Sequence, residues 1–343
     1  MNPVLGIVIA LLGWLLAALV AIGALGTALG VTPGPFAAAV QGSAPRLIVL
    51  GILLGTVLLV LDRELGTTML PGGILLAGVF AWTLQLLPIA AVEGTATKDG
   101  FRIFSTNLLL TNDDVEHIAA DVLSADPDVL VTLEIEAETR DALARRLTTY
   151  RLVSVGEGER GRWAGIWVHE RLDANAVSEK RLPVGDEILP GIEYRVQDSH
   201  GGGHRDVHVV GVHLHSPTSD DGNVKWRTEL ADLIRYAEEH GDRLVLAGDF
   251  NAGSAHPGFA ALLAHLRDAG RTPWGTGTPT WPVLGRGHGV YRAMPPTLDI
   301  DHVLTGKHLS ARGHRALRVH GSDHKGVVAE IVFRQAPHDA ESR

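Results

Sequence analysis

Acidic and amide side chains directly follow an apolar segment in the C-terminal half of the chain. The stretch RLVLAGDFNAGS, residues 243 to 254, places Asp249 and Asn251 after a run of apolar residues. Residues 244 to 247 are typical of an interior strand, which predicts both polar residues at its carboxyl end. Open α/β sheets bind ligands at that end. Because turns and helix caps use the same residue types, this stretch alone leaves both interpretations open.

The same kinds of side chain end several other apolar segments. They are Asn107, Glu134, His213, Asp301, Asp323 and His324. Carboxylate and amide oxygens are the ligands that Mg²⁺ prefers, and imidazoles can donate hydrogen bonds to phosphoryl oxygens. Each residue alone also fits a helix cap, a surface carboxylate or a core histidine. Taken together, they favour a metal-assisted phosphoester hydrolase.

Alternating strand and helix patterns supply the elements that must position these side chains. Strands are predicted at 101–109, 128–135, 150–155, 163–169, 192–197, 206–213, 243–248, 300–305 and 326–333, with helices at 113–124, 137–148 and 224–240. Some strands are separated by helices and others by hairpins. This pattern predicts two stacked mixed β-sheets flanked by helices.

The N-terminal 95 residues differ sharply from the rest in charge. Before residue 93 the charged side chains are Arg46, Asp62, Arg63 and Glu64. Three apolar runs predict transmembrane spans at about 4–29, 45–61 and 73–92, and the first has no basic segment before it of the kind found in signal peptides. The predicted organisation is a transmembrane region over 1–95, a catalytic domain over 96–335 and a disordered tail over 336–343.

Orientation of these spans is set by the distribution of basic residues between the loops. Arg46 and Arg63 fall on opposite sides, so the bias is nearly balanced. A cytoplasmic N-terminus and three spans predict a multi-pass cell-membrane protein with an extracytoplasmic catalytic domain. The absence of cysteine is compatible with an exported domain that has no disulfide bonds.

The acidic balance of the chain bears on its substrates. The formal net charge is −9. Proteins that hold duplex DNA through its phosphates usually carry a basic face, so this charge disfavours a bulk duplex nuclease. A local patch such as Arg145 and Arg146 remains compatible with nucleic-acid binding.

The order of the motifs resembles the endonuclease/exonuclease/phosphatase superfamily, which includes deoxyribonucleases, neutral sphingomyelinases and inositol polyphosphate phosphatases. The matching segments are STN at 105–107, DVLVTLE at 128–134, VHLHSP at 212–217, GDFN at 248–251, DIDHVL at 299–304 and SDH at 322–324. They extend over nearly the whole predicted catalytic domain. The resemblance implies a four-layered α/β sandwich and a divalent metal, Mg²⁺ or Mn²⁺.

The resemblance also implies roles for individual residues. The implied metal ligands are Glu134, Asn107 and Asp323, the last with an alternative role at the leaving group. Asp249 is expected to orient or deprotonate the attacking water and Asn251 to steady the phosphoryl group. The remaining catalytic residues are His213 and His324, which would donate to nonbridging oxygens, and Asp301, which would orient His324.

Three positions depart from the family pattern. Leu133 replaces a glutamine that often precedes the metal-binding glutamate, and Glu136 is an alternative ligand if the strand continues past Glu134. Asp299 stands where a basic residue is common. His215 has no family role to transfer.

The resulting prediction is a membrane-anchored, divalent-metal-dependent phosphodiesterase or phosphatase in which water attacks phosphorus. The predicted membrane region favours a lipid or envelope phosphoester, and the lipid bilayer itself is an expected partner. Two alternatives remain: an extracytoplasmic metal-dependent nuclease, and a catalytically inactive membrane-tethered binding module. Since one superfamily hosts all these substrates, the fold does not select among them.

Overall fold

The computed structural model describes residues 3–65, 70–86, 96–159, 163–197, 204–271, 277–287 and 289–334. The tail predicted over 336–343 lies outside the described residues. Within them the helices are α1 (Pro3–Leu29), α2 (Pro35–Gly42), α3 (Ala44–Leu65), α4 (Leu70–Leu86), α5 (Val115–Ala125), α6 (Ala137–Arg146), α7 (Asp220–His240) and α8 (Pro257–Leu262). Three short 3-10 turns lie at Ala174–Ala176, Gly241–Arg243 and Gly289–Ala293.

Two six-stranded sheets form the body of the domain. The first has the order β13 (Leu309–Arg318), β14 (Lys325–Arg334), β1 (Ala96–Asn107), β2 (Val129–Leu133), β4 (Ala164–His169) and β3 (Tyr150–Val155). The second has the order β11 (Arg267–Asp268), β12 (Asp301–Thr305), β10 (Leu244–Asp249), β9 (His204–His213), β8 (Gly191–Gln197) and β5 (Val177–Glu179). A separate hairpin joins β6 (Leu182–Val184) to β7 (Glu187–Leu189).

The two sheets pack face to face and carry helices on their outer faces. The central apolar cluster takes residues from both sheets, among them Val131 and Val245. A second cluster joins the outer face of the second sheet to α7 and α8, and a third joins the outer face of the first sheet to α5 and α6. The predicted mixed α/β architecture with two large sheets and flanking helices is confirmed.

Local periodicity located the strands that are buried on both faces, but it missed the less regular elements. Strand β13 was not predicted because it lies at a sheet edge and is mostly half-buried or exposed, so its sequence lacks alternation. The short β5, β6, β7 and β11 and the six-residue helix α8 were also missed. Such elements are too short to show a period.

The prediction of three transmembrane spans is corrected to one candidate. Within the described residues, Ile7–Leu29 of α1 is long and apolar enough to cross a membrane, judged by length and composition. Helix α3 passes the same test only together with α2, and this pair is bent by 66°. The apolar part of α4, Gly72–Gln85, is shorter than a span. Residues 87–92 of the predicted third span lie outside the described residues.

The structure shows the physical causes of the correction. Helices α2 and α3 are interrupted at Ser43, so their apolar residues do not form one straight segment. Asp62, Arg63 and Glu64 fall in the last turns of α3 and shorten its apolar part. A run of apolar residues therefore overstated the length of continuous helix.

Candidate active site

Strand register brings the polar strand ends of the second sheet side by side. In the parallel pair β9 and β10, His213 lies opposite Asp249. In the antiparallel pair β10 and β12, Asp249 lies opposite Asp301. These three residues therefore form one row across three neighbouring strands, and all are buried.

The first sheet contributes Asn107 and Glu134 to the same edge. Asn107 is the last residue of β1 and pairs with Leu133 at the end of the parallel strand β2, so Glu134 follows immediately. The Asn107 Nδ2 group donates to Glu134 Oε1 at 2.8 Å and to Asp249 Oδ2 at 3.3 Å. His213 Nε2 lies 3.6 Å from Glu134 Oε1. The buried amide of Asn107 thus links the two sheets at the site.

Backbone conformation at the strand ends is unusual and fixes where the side chains point. Glu134 and Asn251 have φ angles of 52° and 49°, in the left-handed region that non-glycine residues rarely adopt. Such strained positions concentrate at functional sites, where the surrounding structure must hold them. Gly248 has a φ of 155°, and a Cβ atom there would lie 1.8 Å from the Val212 carbonyl oxygen. The glycine of the GDFN segment is therefore required for the close approach of β10 to β9.

Asn251 is held by hydrogen bonds from both its backbone and its side chain. Its backbone N–H donates to Asp249 Oδ1 at 2.8 Å. Its side-chain Nδ2 donates to the Leu214 carbonyl at 2.9 Å. The two-residue spacing of Asp249 and Asn251 is thus that of an Asx turn, which orients the Asp249 carboxylate.

His324 forms a buried pair with Asp301. The ring Nδ1 donates to Asp301 Oδ2 at 2.9 Å, and Nε2 lies 3.8 Å from Asp249 Oδ2. Burial by itself would lower the pKa of His324, but the charges of Asp301 and Asp249 outweigh it and raise that pKa to about 10. The imidazole is therefore positively charged at neutral pH, with one N–H fixed and the other directed towards Asp249.

The pKa of Asp249 is also raised, but for a carboxyl group this favours the neutral form. Burial and the neighbouring charge of Asp301 raise the pKa of Asp249 to about 7, against the opposing effect of His324. A carboxylate with a pKa near neutrality is suited to accept a proton during catalysis.

The donor set fits a hard divalent cation. Glu134 presents a carboxylate whose side chain is 23% exposed, and the amide of Asn107 lies beside it. Asp249, Asp301 and His324 converge closely enough to be a candidate metal group in their own right. Since Asp301 and His324 are bound to each other, the partly exposed carboxylate of Glu134 is the better match for Mg²⁺ or Mn²⁺. Asn107 is buried, and its Oδ1 accepts a hydrogen bond from the Leu109 backbone N–H at 3.0 Å.

Asp323, the third predicted metal ligand, has a different neighbour. Its Oδ2 accepts a hydrogen bond from the Trp281 indole at 3.2 Å. Among the described residues, its carboxylate forms no hydrogen bond with Asn107 or Glu134. This contact tests neither role that the resemblance implied for Asp323, as a metal ligand or at the leaving group.

The three departures from the family pattern are now located. Strand β2 ends at Leu133 and Glu136 occupies the cap position of α6, so the condition under which Glu136 shares a strand face with Glu134 is not met. The His215 backbone N–H and Nδ1 both contact the Glu229 carboxylate of α7. Asp299 lies 3.9 Å from the ring of His302.

Sequence patterns missed several residues that support the site. The Ser322 hydroxyl donates to the Asn107 carbonyl at 2.7 Å and accepts from the His324 backbone N–H at 2.9 Å. His302 donates through Nδ1 to Asp268 and through Nε2 to the Ala252 carbonyl. Ser322 and His302 both lie inside quoted motifs, so their location signalled importance although their partners did not appear in the sequence.

Two stacked mixed sheets with carboxylates, an amide and imidazoles at a shared edge define an α/β protein of the phosphoester hydrolase class. Residues 104–324 match the profile of the Endonuclease/Exonuclease/phosphatase family, and the chain belongs to that family. Hydrolysis of phosphoesters is the activity class this membership supports. No curated protein sequence matches the chain significantly.

Several solved structures are similar to the domain. A family protein from Bacteroides thetaiotaomicron is 16% identical with a TM-score of 0.52, over 69% of this chain and 99% of that chain. D. rerio TDP2, complexed with a single-strand DNA product, is 16% identical with a TM-score of 0.51, over 68% and 99% of the two chains. A family protein from Bacteroides vulgatus is 15% identical with a TM-score of 0.50, over 69% and 100%. At these identities the likeness shows the fold alone.

Proposed function

We propose that the protein is a membrane-anchored, divalent-metal-dependent phosphoester hydrolase that acts on a lipid or envelope phosphoester. The observation that carries this proposal is the convergence of Asn107, Glu134 and Asp249 from two sheets beside the Asp301–His324 pair. One cluster thus contains an oxygen-rich cation site, a base and a charged donor. Those are the parts that water attack on phosphorus needs.

Asp249 is the base in this proposal. Its raised pKa of about 7 allows it to take a proton from water near neutral pH. The hydrogen bonds from Asn251 and Asn107 fix both carboxylate oxygens, so the attacking water would be held at a defined angle. Orientation of this kind supplies part of the rate enhancement.

His324, His213 and Asn251 stabilise the phosphoryl group as its negative charge grows. The His324 ring is kept protonated and fixed by Asp301, so its Nε2–H can donate to a nonbridging oxygen. Donors that are already aligned cost no reorganisation during the reaction. Asp323, held by Trp281, would lie towards the leaving group.

Glu134 and Asn107 would hold the metal ion. When bound, a divalent cation acts as a Lewis acid: it polarises the phosphoryl oxygens and offsets the negative charge that opposes attack by water. The left-handed backbone at Glu134 turns its carboxylate out of the strand, and the Leu110 backbone N–H donates to its Oε2 at 3.1 Å. These contacts prearrange the carboxylate.

The membrane part of the proposal rests on α1 and its surroundings. Helix α1 meets the length and composition of a span, and it exposes large apolar side chains such as Leu11, Leu25 and Leu29. His256 contacts Ala38 of α2 and lies five positions after Asn251 in the chain. An extended chain of that length covers at most about 18 Å. The site would therefore lie close to the bilayer surface, which supports a lipid substrate.

The test is hydrolysis by the full-length protein in lipid nanodiscs with Mg²⁺. The panel should contain phospholipids, lipid phosphates, a soluble aryl phosphodiester, an aryl phosphomonoester and single-stranded and duplex DNA. The site variant is Asp249→Asn, and the matched control is Asp186→Asn, an exposed aspartate in the turn between β6 and β7. A chelator provides the metal control.

We expect turnover of a lipid phosphoester that the chelator and Asp249→Asn abolish and that Asp186→Asn leaves unchanged. Preferential cleavage of DNA would instead support the nuclease alternative. A folded protein that binds Mg²⁺ and cleaves no member of the panel would support the binding-module alternative.

A further inference from the structure

The segment Ala252–His256, which directly follows Asn251, contacts the N-terminal helices. The Thr27 hydroxyl of α1 lies 3.1 Å from the Ala255 carbonyl and shares its proton between that carbonyl and the Gly23 carbonyl of its own helix at 2.9 Å. Ala255 is buried within an apolar cluster that otherwise consists of residues from α1 to α4. Gly42 at the end of α2 lies so close that a Cβ atom there would be 3.2 Å from the His256 ring. The active-site segment is therefore packed directly on the helical region.

His256 is the polar link in this contact, and its proton positions follow from its partners. The Gly253 backbone N–H donates to Nδ1 at 2.9 Å, so Nδ1 is an acceptor. The proton therefore resides on Nε2, which donates to the Ala38 carbonyl of α2 at 3.0 Å. Burial lowers the pKa of His256, consistent with this neutral form.

The other end of the segment is fixed by the catalytic domain. His302 Nε2 donates to the Ala252 carbonyl at 2.8 Å, and its Nδ1 donates to Asp268 at 2.9 Å. One end of the segment is thus attached to the sheet and the other to α2. Asn251 immediately precedes it in a left-handed conformation, which persists only when its surroundings hold it.

We infer that His256 is a positioning residue through which α2 fixes Asn251 and, through it, Asp249. The N-terminal helices are then a structural part of the catalytic unit as well as an anchor. The inference deepens the proposed function and rests on it for its kinetic consequences. It predicts that breaking the contact to α2 lowers the turnover number without removing substrate or metal binding.

A pair of conservative variants separates the two hydrogen bonds of His256. His256→Asn retains an acceptor near the Nδ1 position for Gly253 but loses the donor to Ala38. His256→Gln can place an amide N–H near the Nε2 position, keeping the donor to Ala38, but loses the acceptor for Gly253. The pair therefore tests which bond supports the site while burial and polarity stay similar.

A second pair tests the same contact from the side of α1. Thr27→Val removes the donor to the Ala255 carbonyl at nearly constant volume. Thr27→Ser retains the hydroxyl and is the matched control. This pair keeps the inference testable if the His256 variants do not fold.

The measurement is kcat and KM for a soluble aryl phosphodiester with the full chain in nanodiscs, together with amide hydrogen exchange of peptides covering 244–256. We expect His256→Asn and Thr27→Val to lower kcat on the order of 10-fold with KM unchanged, because small misplacements of catalytic groups carry large costs. We also expect faster exchange at 249–254. His256→Gln and Thr27→Ser should retain more activity and protection.

The outcomes separate this inference from the proposed function. Wild-type kcat and exchange protection in both His256→Asn and Thr27→Val would overturn the inference alone. An inactive wild-type protein would count against the proposed function. In that case the exchange measurement still decides the inference, because it reports the support of Asn251 without requiring turnover.

Discussion

Two buried aspartate–histidine pairs lie on adjacent residues of β12, and they differ in what the second ring nitrogen contacts. Asp301 binds Nδ1 of His324, whose Nε2 is directed towards Asp249 at the site. His302 binds Asp268 through Nδ1, whereas its Nε2 donates to the Ala252 backbone carbonyl. We call these the open pair and the closed pair.

The difference teaches that the same chemical pair serves catalysis or support according to its environment. In the closed pair a backbone carbonyl uses the second N–H, so no substrate atom can reach it, and the His302 ring packs against Phe259 at 4.4 Å between centroids. In the open pair the second nitrogen, Nε2 of His324, faces the Asp249 carboxylate at the site. Adjacent residues of a strand point to opposite faces, which places one pair in the site and the other behind it.

The largest expected effect is a loss of kcat on substitution of Asp249, the carboxylate that His324 of the open pair faces. Asp249→Asn removes the base and should lower kcat by about 10³-fold or more, within the range for general base catalysis. It also removes a buried carboxylate whose pKa burial raises, so the thermal midpoint should not fall. Steady-state kinetics and thermal unfolding of the same preparation measure both. A full-rate Asp249→Asn enzyme would break the assignment of the base.

The second-largest expected loss of kcat comes from removal of the His324 imidazole of the open pair. His324→Gln deletes the charged donor and should lower kcat by about 10²-fold, as for loss of one oxyanion donor. Because the ring acts in the transition state, KM should change little. Steady-state kinetics measure both values. A His324→Gln protein with a lower thermal midpoint and wild-type kcat would contradict the catalytic role given to the open pair.

The matched change in the closed pair should act on stability. His302→Gln leaves Asp268 as a buried carboxylate without its charged partner, which costs about 3 kcal/mol. The thermal midpoint should therefore fall, with a loss of kcat smaller than that of His324→Gln. His204→Gln, at an exposed position of β9, is the control for the substitution itself. A stable His302→Gln protein with a large loss of kcat would reverse the roles of the two pairs.

The smallest expected effect is the closed pair's share of the pH dependence of stability, since His324 of the open pair also has a pKa raised to about 10. Burial lowers the pKa of His302, but the charges of Asp299 and Asp268 outweigh it and raise that pKa to about 10. A histidine pKa raised on folding stabilises fully below the unfolded value of about 6.5, and this stabilisation is lost as pH rises towards 10. The thermal midpoint should fall over that interval in the wild-type protein and less in His302→Gln. An equal fall of the thermal midpoint with pH in the wild-type protein and in His302→Gln would contradict this contribution of His302.

The open pair and its neighbours were largely predictable because their residues end buried strands in recognisable motifs. Asn107, Glu134, His213, Asp249, Asn251, Asp301 and His324 all lie at the shared edge of the two sheets. Periodicity locates strand ends, and a parallel register then aligns them. The roles of these residues remain predictions.

The closed pair and the contact to α2 were not predictable, because they depend on residues distant in sequence. Asp268 and His302 are 34 residues apart, and His256 and Ala38 are 218 apart. No local pattern encodes such a pairing. The number of transmembrane spans was overestimated for a related reason. Composition shows the length of an apolar run but not the break at Ser43 that bends α2 against α3.

The most direct test of the central claim is Mg²⁺ binding and Mg²⁺-dependent hydrolysis by Glu134→Gln and Glu136→Gln variants of the full-length protein. Calorimetry gives the metal affinity, and turnover of the substrate found with the panel gives the activity. We predict that Glu134→Gln loses both metal binding and turnover, and that Glu136→Gln retains both. Wild-type Mg²⁺ affinity and turnover in Glu134→Gln would contradict the claim that the strand-end cluster is a metal-dependent hydrolytic site.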